Sequence, residues 1–231
     1  MTLYHRSTSP DSMQVRIALN YKNIPFEEVL LAPPDRAGLE RDSKQPRAPV
    51  LSHNGSVVAE SGAILRYLEA AFSETPPLFS SDEDTLSEIE RWENLGQGEL
   101  KQCVATLLHN CLAATPDMEE LESASEQFYE IIGKFEERLE RGPWLVDEHL
   151  TAADVITGPA ICYGMLMPSF STLGSLGQAI AERFKLGVQR ARTEEWVMRV
   201  MAFDRLSETT DSVYSAWSAR HLENTAVFGS E

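Results

Sequence analysis

The stretch Arg47–Leu68, RAPVLSHNGSVVAESGAILRYL, constrains the fold more than any other part of the chain. Asn54-Gly55 is a strong two-residue hairpin signal and stands between Val50-Leu51 and Val57-Val58. Two antiparallel strands follow from it. Pro49 has no N–H to give to a ladder, so it belongs at a strand start or edge, where its backbone faces something other than a neighbouring strand, such as a ligand. Glu60-Ser61-Gly62 then breaks the strand pattern. Ala63, Ile64, Leu65, Tyr67, Leu68 and Phe72 recur as the apolar face of a helix, with Ser61 as its expected N-cap.

Upstream, Thr2–His5 reads as a short strand, Arg6–Ser12 as a polar loop, and Met13, Val15, Ile17, Ala18 and Leu19 as the buried side of a helix. Lys22-Asn23-Ile24-Pro25 ends that helix, and Phe26–Leu31 alternates into a second strand. The region from Pro33-Pro34 to Gln45 is a polar connection with room for a short helix. The order β-α-β, connection, β-β-α describes a mixed sheet with helices on its faces. Beyond Phe72 the sequence becomes turn-rich and acidic, and nothing later looks like a strand. We therefore expect a first domain over residues 1–76, a linker over 77–85 and an all-helical domain over 86–231.

Helical periodicities run over Leu86–Leu112, Met118–Leu139, Ala152–Leu166, Leu176–Val188 and Glu194–Phe203. Thr151-Ala152-Ala153-Asp154 has the capping-box pattern, a structural device for starting a helix. In the tail 207–231, Val213, Tyr214 and Trp217 suggest a short helix that covers a cleft or packs on the bundle.

With 42% apolar and 24% charged residues, the 231-residue chain has an ordinary globular composition. No apolar run approaches the roughly 20 residues a membrane crossing needs, and Met1-Thr2-Leu3-Tyr4 does not open a signal peptide, so the expected location is the cytoplasm. A net charge of −16 argues against nucleic acid or an anionic membrane as partner. An anionic ligand needs local basic residues. Cys103, Cys111 and Cys162 form no C-x-x-C pair and no metal spacing, so they read as reduced core thiols, and no metal is expected.

Taken together, the "APVL" segment, the helix start "ESGAILRYLE" and the helical second half carrying "WLVDEHLTAADV" resemble the cytosolic glutathione transferases, in particular serine-type, bacterial-like members. The resemblance runs from Leu3 to about Leu206. It implies a thioredoxin-like α/β domain followed by a C-terminal helical bundle, homodimerisation, a glutathione site on the first domain and a hydrophobic acceptor site facing it. In that family the proline matching Pro49 is cis and turns the backbone of Val50 toward the ligand, so that it pairs with glutathione like an added strand. The acid and serine matching Glu60 and Ser61 bind the γ-glutamyl end, the carboxylate taking its ammonium and the hydroxyl and helix amides its carboxylate. Arg47 matches a basic residue near the glycine carboxylate. Outside that frame the same residues read as an edge strand, a helix cap and a solvated cation. Arg66 and Tyr67 on the same helix read as structural.

The family's chemistry needs glutathione's thiol as thiolate, and lowering a thiol pKa of about 8.5 by about two units takes about 2.7 kcal/mol of preferential stabilisation. A hydroxyl donor at a helix N-terminus can supply it. The window Arg6–Ser12 offers Ser7, Thr8, Ser9 and Ser12. Alignment on the helix stretch "VRIAL" puts Ser9 where serine-type members carry the catalytic hydroxyl. Ser12 is the second choice, with helix N-capping as its structural role; Ser7 and Thr8 stay open, and Tyr4 reads as core. Asp11 opposes ionisation next to a thiolate. No cysteine precedes Cys103, which argues against glutathione-disulfide exchange at the first helix.

For the acceptor side the resemblance points to His109 and Tyr163, with Met165 and Met167 reading first as helix packing. The leading function is conjugation of glutathione to a small hydrophobic electrophile. The alternatives are a glutathione-dependent isomerase using the same site and a non-catalytic interaction module on the same fold.

Overall fold

The computed structural model describes residues 1–7, 9–31, 47–166 and 190–205. The expected connection 33–45, the periodicity 176–188, the tail 207–231, Thr8 and Met167 lie outside the described residues. The chain forms two compact units, Met1–Pro76 with Phe203–Glu231, and Pro77–Ala202.

The first unit is built on a four-stranded sheet in the order β2-β1-β3-β4. Strand β1 (Thr2–His5) pairs in parallel with β2 (Glu27–Leu30) and antiparallel with β3 (Val50–His53), which pairs antiparallel with β4 (Ser56–Ala59). A parallel pair needs a crossover, and α1 (Pro10–Tyr21) supplies it. The hairpin turns where the sequence expects it: Asn54 at φ 48° and Gly55 at φ 81° are both left-handed, a conformation glycine adopts without a Cβ penalty. Helix α2 (Ser61–Ala71) follows β4 and packs against α1. Leu3 and Leu51 of the sheet, Met13, Val15, Ile17 and Leu19 of α1, and Ile64, Leu65 and Leu68 of α2 are all fully buried, which is the sheet-and-helix layering the sequence pattern implies and the thioredoxin-like domain the resemblance implies.

Two buried cations brace this unit. Lys22, just past α1, donates to Glu69 of α2 at 2.8 Å and to the Pro76 carbonyl at 2.9 Å, fastening the end of the unit to its helices. Arg16 of α1 is fully buried and pairs with both oxygens of Asp204, at 2.7 and 2.9 Å across 188 positions. It also donates to His5 Nδ1 at 3.1 Å. A guanidinium has only donors, so Nδ1 accepts and the imidazole proton sits on Nε2, 3.6 Å from Glu28 Oε1.

The second unit is helical: α3 (Glu83–Leu95), a wider π-type turn over Gly96–Leu100, α4 (Lys101–Leu112), α5 (Met118–Arg138), α6 (Ala152–Leu166) and α7 (Ala191–Met201). Helix α3 starts earlier than Leu86, where its apolar periodicity begins, because Asp82 accepts from the Thr85 N–H at 2.9 Å and caps it. Asp117 caps α5 in the same way through Glu119 and Glu120. The aromatic centre runs from Trp92 to Phe135 to Trp196, with ring centroids 4.7 and 5.4 Å apart. Gly158 lets α6 meet α7, since a Cβ there would stand 2.8 Å from Val200 Cγ1.

Asp154 is the polar centre of this unit. Fully buried, it accepts from the N–H groups of Leu145 and Thr151, the Thr151 hydroxyl and Trp196 Nε1, at 2.8–3.1 Å. The carboxylate returns to Thr151 as a capping box requires, but the threonine hydroxyl donates to the carboxylate instead of accepting from the Asp154 N–H. Burial pushes the Asp154 carboxyl up, against the pull of its donors.

Asp154→Ala strands three N–H donors in the core and should lower stability by about 3–4 kcal/mol, read as a shifted urea midpoint at constant slope. His5 gives a pH dependence. Burial, then the Arg16 charge, lowers its pKa from 6.5 to about 4, so between those values the unfolded chain binds more protons than the folded one. The contribution is whole above pH 6.5 and is lost as pH falls toward 4, on the order of 3 kcal/mol. His5→Gln should flatten that acid limb of the stability–pH curve; an unchanged limb would refute the assignment.

Candidate functional site

Strand direction gathers the candidate residues of the first unit. Register sets Tyr4 opposite Val50 and Val50 opposite Ala59. The chain therefore leaves β1 through Arg6–Ser9, enters β3 through Arg47–Pro49 and leaves β4 through Glu60–Ser61, all at one end of the sheet. Both α1 and α2 begin there, and their first-turn N–H groups have no partner within their own helices.

Ser9 is the N-cap of α1, with φ −82° and ψ 124°, and its hydroxyl makes no capping bond. Its carbonyl takes the Met13 N–H at 2.9 Å, and Pro10 occupies the first helical position, where a missing N–H costs nothing. Ser12 is thus a correction: it lies inside the helix, not at its N-cap. It is fully buried, and its hydroxyl oxygen accepts from the Arg6 N–H at 3.2 Å. The Ser9-Pro10 pair was the sequence signal for this boundary. Ser7 is half-buried and gives its carbonyl to Arg16 at 3.1 Å. Asp11 lies half-buried in the first turn, and Tyr4 packs against Leu31 and Val50.

Around β3, the Ala48-Pro49 peptide is cis, Pro49 and Val50 are buried, and Arg47 is exposed. At the start of α2 the expected cap is displaced by one residue. Glu60 is the N-cap, its carbonyl accepting from Ile64 N–H at 2.9 Å, while Ser61 is the first helical residue and is buried. The Glu60 backbone sits at φ 70°, ψ 126°, which costs a non-glycine residue on the order of 1–3 kcal/mol. Its side chain is exposed and does not cap the helix. An exposed carboxylate on a strained backbone is the pattern of a functional position. Tyr67 is engaged elsewhere, 2.9 Å from His53 Nδ1, and Arg66 is exposed.

In the second unit, His109 is exposed on α4 and Tyr163 half-buried on α6, a helix that packs against α4. Burial raises the Tyr163 phenol. Met165 is buried, as packing requires. The three cysteines are free and buried, and burial pushes the Cys103 and Cys111 thiols up to about 11, which leaves them protonated at neutral pH. Among the described residues there is no cluster of three or more His, Cys, Asp or Glu able to hold a metal ion, and no helix long and apolar enough to cross a membrane. Arg16 and Asp204, which hold the loop leading to Ser9, carry no local sequence signal; only their spatial meeting reveals them.

Residues 3–76 match the family model for the glutathione S-transferase N-terminal domain, and residues 100–171 the model for its C-terminal domain. Among curated proteins the chain is 28% identical over 165 residues to FtsZ-localized protein A of Caulobacter vibrioides, covering 66% of this chain and 72% of that protein. It is 25% identical over 199 residues to glutathione S-transferase 3 of Glycine max, covering 85% and 83%. Among solved structures, Ure2p in complex with S-hexylglutathione superposes with a TM-score of 0.69 at 18% identity, over 88% of this chain and 97% of that one, a likeness of fold. The two family models together span more than half of the chain in the order the two units follow, and the protein belongs to the glutathione S-transferase family.

Proposed function

We propose that the protein is a serine-type glutathione transferase that activates the glutathione thiol for attack on a small hydrophobic electrophile. The observation that carries this reading is the Ser9 hydroxyl, uncommitted to capping, at the N-terminus of α1 and at the sheet end shared with Val50, Glu60 and Ser61. A thiolate there receives the hydroxyl's hydrogen bond and the positive end of the helix dipole. The exposed Glu60 carboxylate takes the γ-glutamyl ammonium, Ser61 and the α2 amides its carboxylate, the Val50 backbone the cysteinyl amide, and Arg47 the glycine carboxylate. His109 and Tyr163 are the acceptor-side candidates. The cytoplasm and a homodimer complete the reading on the strength of the family. A glutathione-dependent isomerase would use the same first-unit site. The relative named for its localisation with FtsZ supports a second reading, a partner-binding member without turnover.

Difference ultraviolet titration of bound glutathione separates these. The thiol should ionise about two units below its free value of about 8.5 in the wild type and return at least one unit in Ser9→Ala. Ser12→Ala should cost stability and leave the thiol unchanged. An undepressed thiol in the wild type would favour the partner-binding reading. Glu60→Gln keeps the backbone cap and removes the charge, so glutathione should bind about tenfold more weakly, as loss of one charge-assisted hydrogen bond implies. Cysteinylglycine, which lacks the γ-glutamyl group, should bind both forms alike; equal losses for the two ligands would refute the Glu60 assignment.

A further inference from the structure

Each of the five N–H donors of the Arg16 guanidinium has an acceptor. Nε and Nη2 take the two oxygens of Asp204, Nη2 also reaches the Ser7 carbonyl at 3.1 Å, and Nη1 reaches the Arg6 carbonyl at 3.2 Å and His5 Nδ1 at 3.1 Å. Two of those acceptors are backbone carbonyls of the loop that ends at Ser9. The Arg6 carbonyl takes a second bond from the Ser9 N–H at 3.3 Å, and the Arg6 N–H gives one to Ser12. Both ends of the Arg16–Asp204 pair are buried to 5% exposure or less, so water does not compete for these donors.

We propose that Arg16, held by Asp204, is a positioning residue that fixes the Arg6 and Ser7 carbonyls, the former also bonded by the Ser9 N–H, and thereby sets where the Ser9 hydroxyl stands relative to a bound thiol. The proposal rests on the reading of Ser9 as the thiol's donor. Neither residue touches glutathione; Arg16 acts through two carbonyls, and Asp204 acts through Arg16. The geometry explains why a lysine is no substitute. An ammonium has three donors on one atom and cannot span a carboxylate and two successive carbonyls, whereas the planar fork can. It also gives the chain after α7 a part in the first unit's site, since Asp204 comes from that segment.

The test uses full-length Arg16→Lys, which keeps the buried charge, and Asp204→Asn, which keeps the shape and one acceptor, with a cooperative melt required of each. Two readouts are taken: amide hydrogen exchange of the segment 6–12 without ligand, and the pKa of bound glutathione. The expected result is at least tenfold faster exchange in that segment, with α2 and the helical unit unchanged. The bound thiol should shift up by about one unit, a tenfold loss of thiolate at pH below its pKa, while glutathione Kd read at about pH 6, below the bound thiol's pKa in both proteins, moves less than twofold. A smaller shift in the same direction is expected for Asp204→Asn. A wild-type thiol that is depressed and stays depressed in Arg16→Lys overturns this inference and leaves Ser9 standing. Unaltered exchange overturns it as well, whatever the thiol does. A wild-type thiol at its free value overturns the Ser9 reading and, with it, the catalytic meaning of the clamp.

Discussion

A buried guanidinium is tolerable only when every donor is met, and in the first unit Arg16 is met by a carboxylate, two carbonyls and an imidazole. Much of the unit's arrangement follows from that requirement. The loop after β1 has to turn its carbonyls inward, His5 has to stay neutral with its Nδ1 lone pair toward the cation, and the chain has to return after α7 to bring Asp204 alongside. Burial pushes the Asp204 carboxyl up while Arg16 pulls it down, so the acid and the cation depend on each other. The second unit solves the converse problem, a buried acid satisfied by neutral donors: Asp154 accepts from Leu145 and Thr151, both in the segment before α6, and from Trp196 of α7.

The functional end of the first unit is a consequence of strand direction. A parallel β1–β2 pair with α1 as crossover, followed by an antiparallel hairpin, puts the C-terminal ends of β1 and β4 beside the start of β3. Two helix N-termini therefore converge where an anionic ligand has use for them. On a chain of net charge −16 this matters to the proposed reading, because the long-range field is unfavourable to an anion and the proposed site relies on local dipoles and on Arg47.

The two helix starts of the first unit depart from local capping preference in the same way. Ser12 and Ser61 are good capping residues near the first apolar position, and capping preference alone points to them. The structure gives the caps to Ser9 and Glu60. Pro10 explains the first, since its ring suits the first helical position and so puts the cap at Ser9, three residues upstream of Ser12. Glu60 explains the second only through tertiary context: no propensity favours a glutamate at φ 70°, and the surrounding hairpin and helix impose it. The start of α3 moved upstream for a local reason that was legible, an aspartate three residues ahead of a threonine N–H.

By itself the sequence determined the alternation of strands and helices, the hairpin at Asn54-Gly55, the point near Pro76 where strands give way to helices, and the family resemblance. These depend on periodicity, turn chemistry and capping, all of which act over a few residues. Tertiary structure alone decided that the Ser12 hydroxyl is buried and bonded to the Arg6 N–H, that Glu60 carries the strained cap, and that Arg16 meets Asp204 across 188 positions. Burial decides those outcomes, since a buried charge has to find its partner in space and adjacent sequence carries no record of where that partner is.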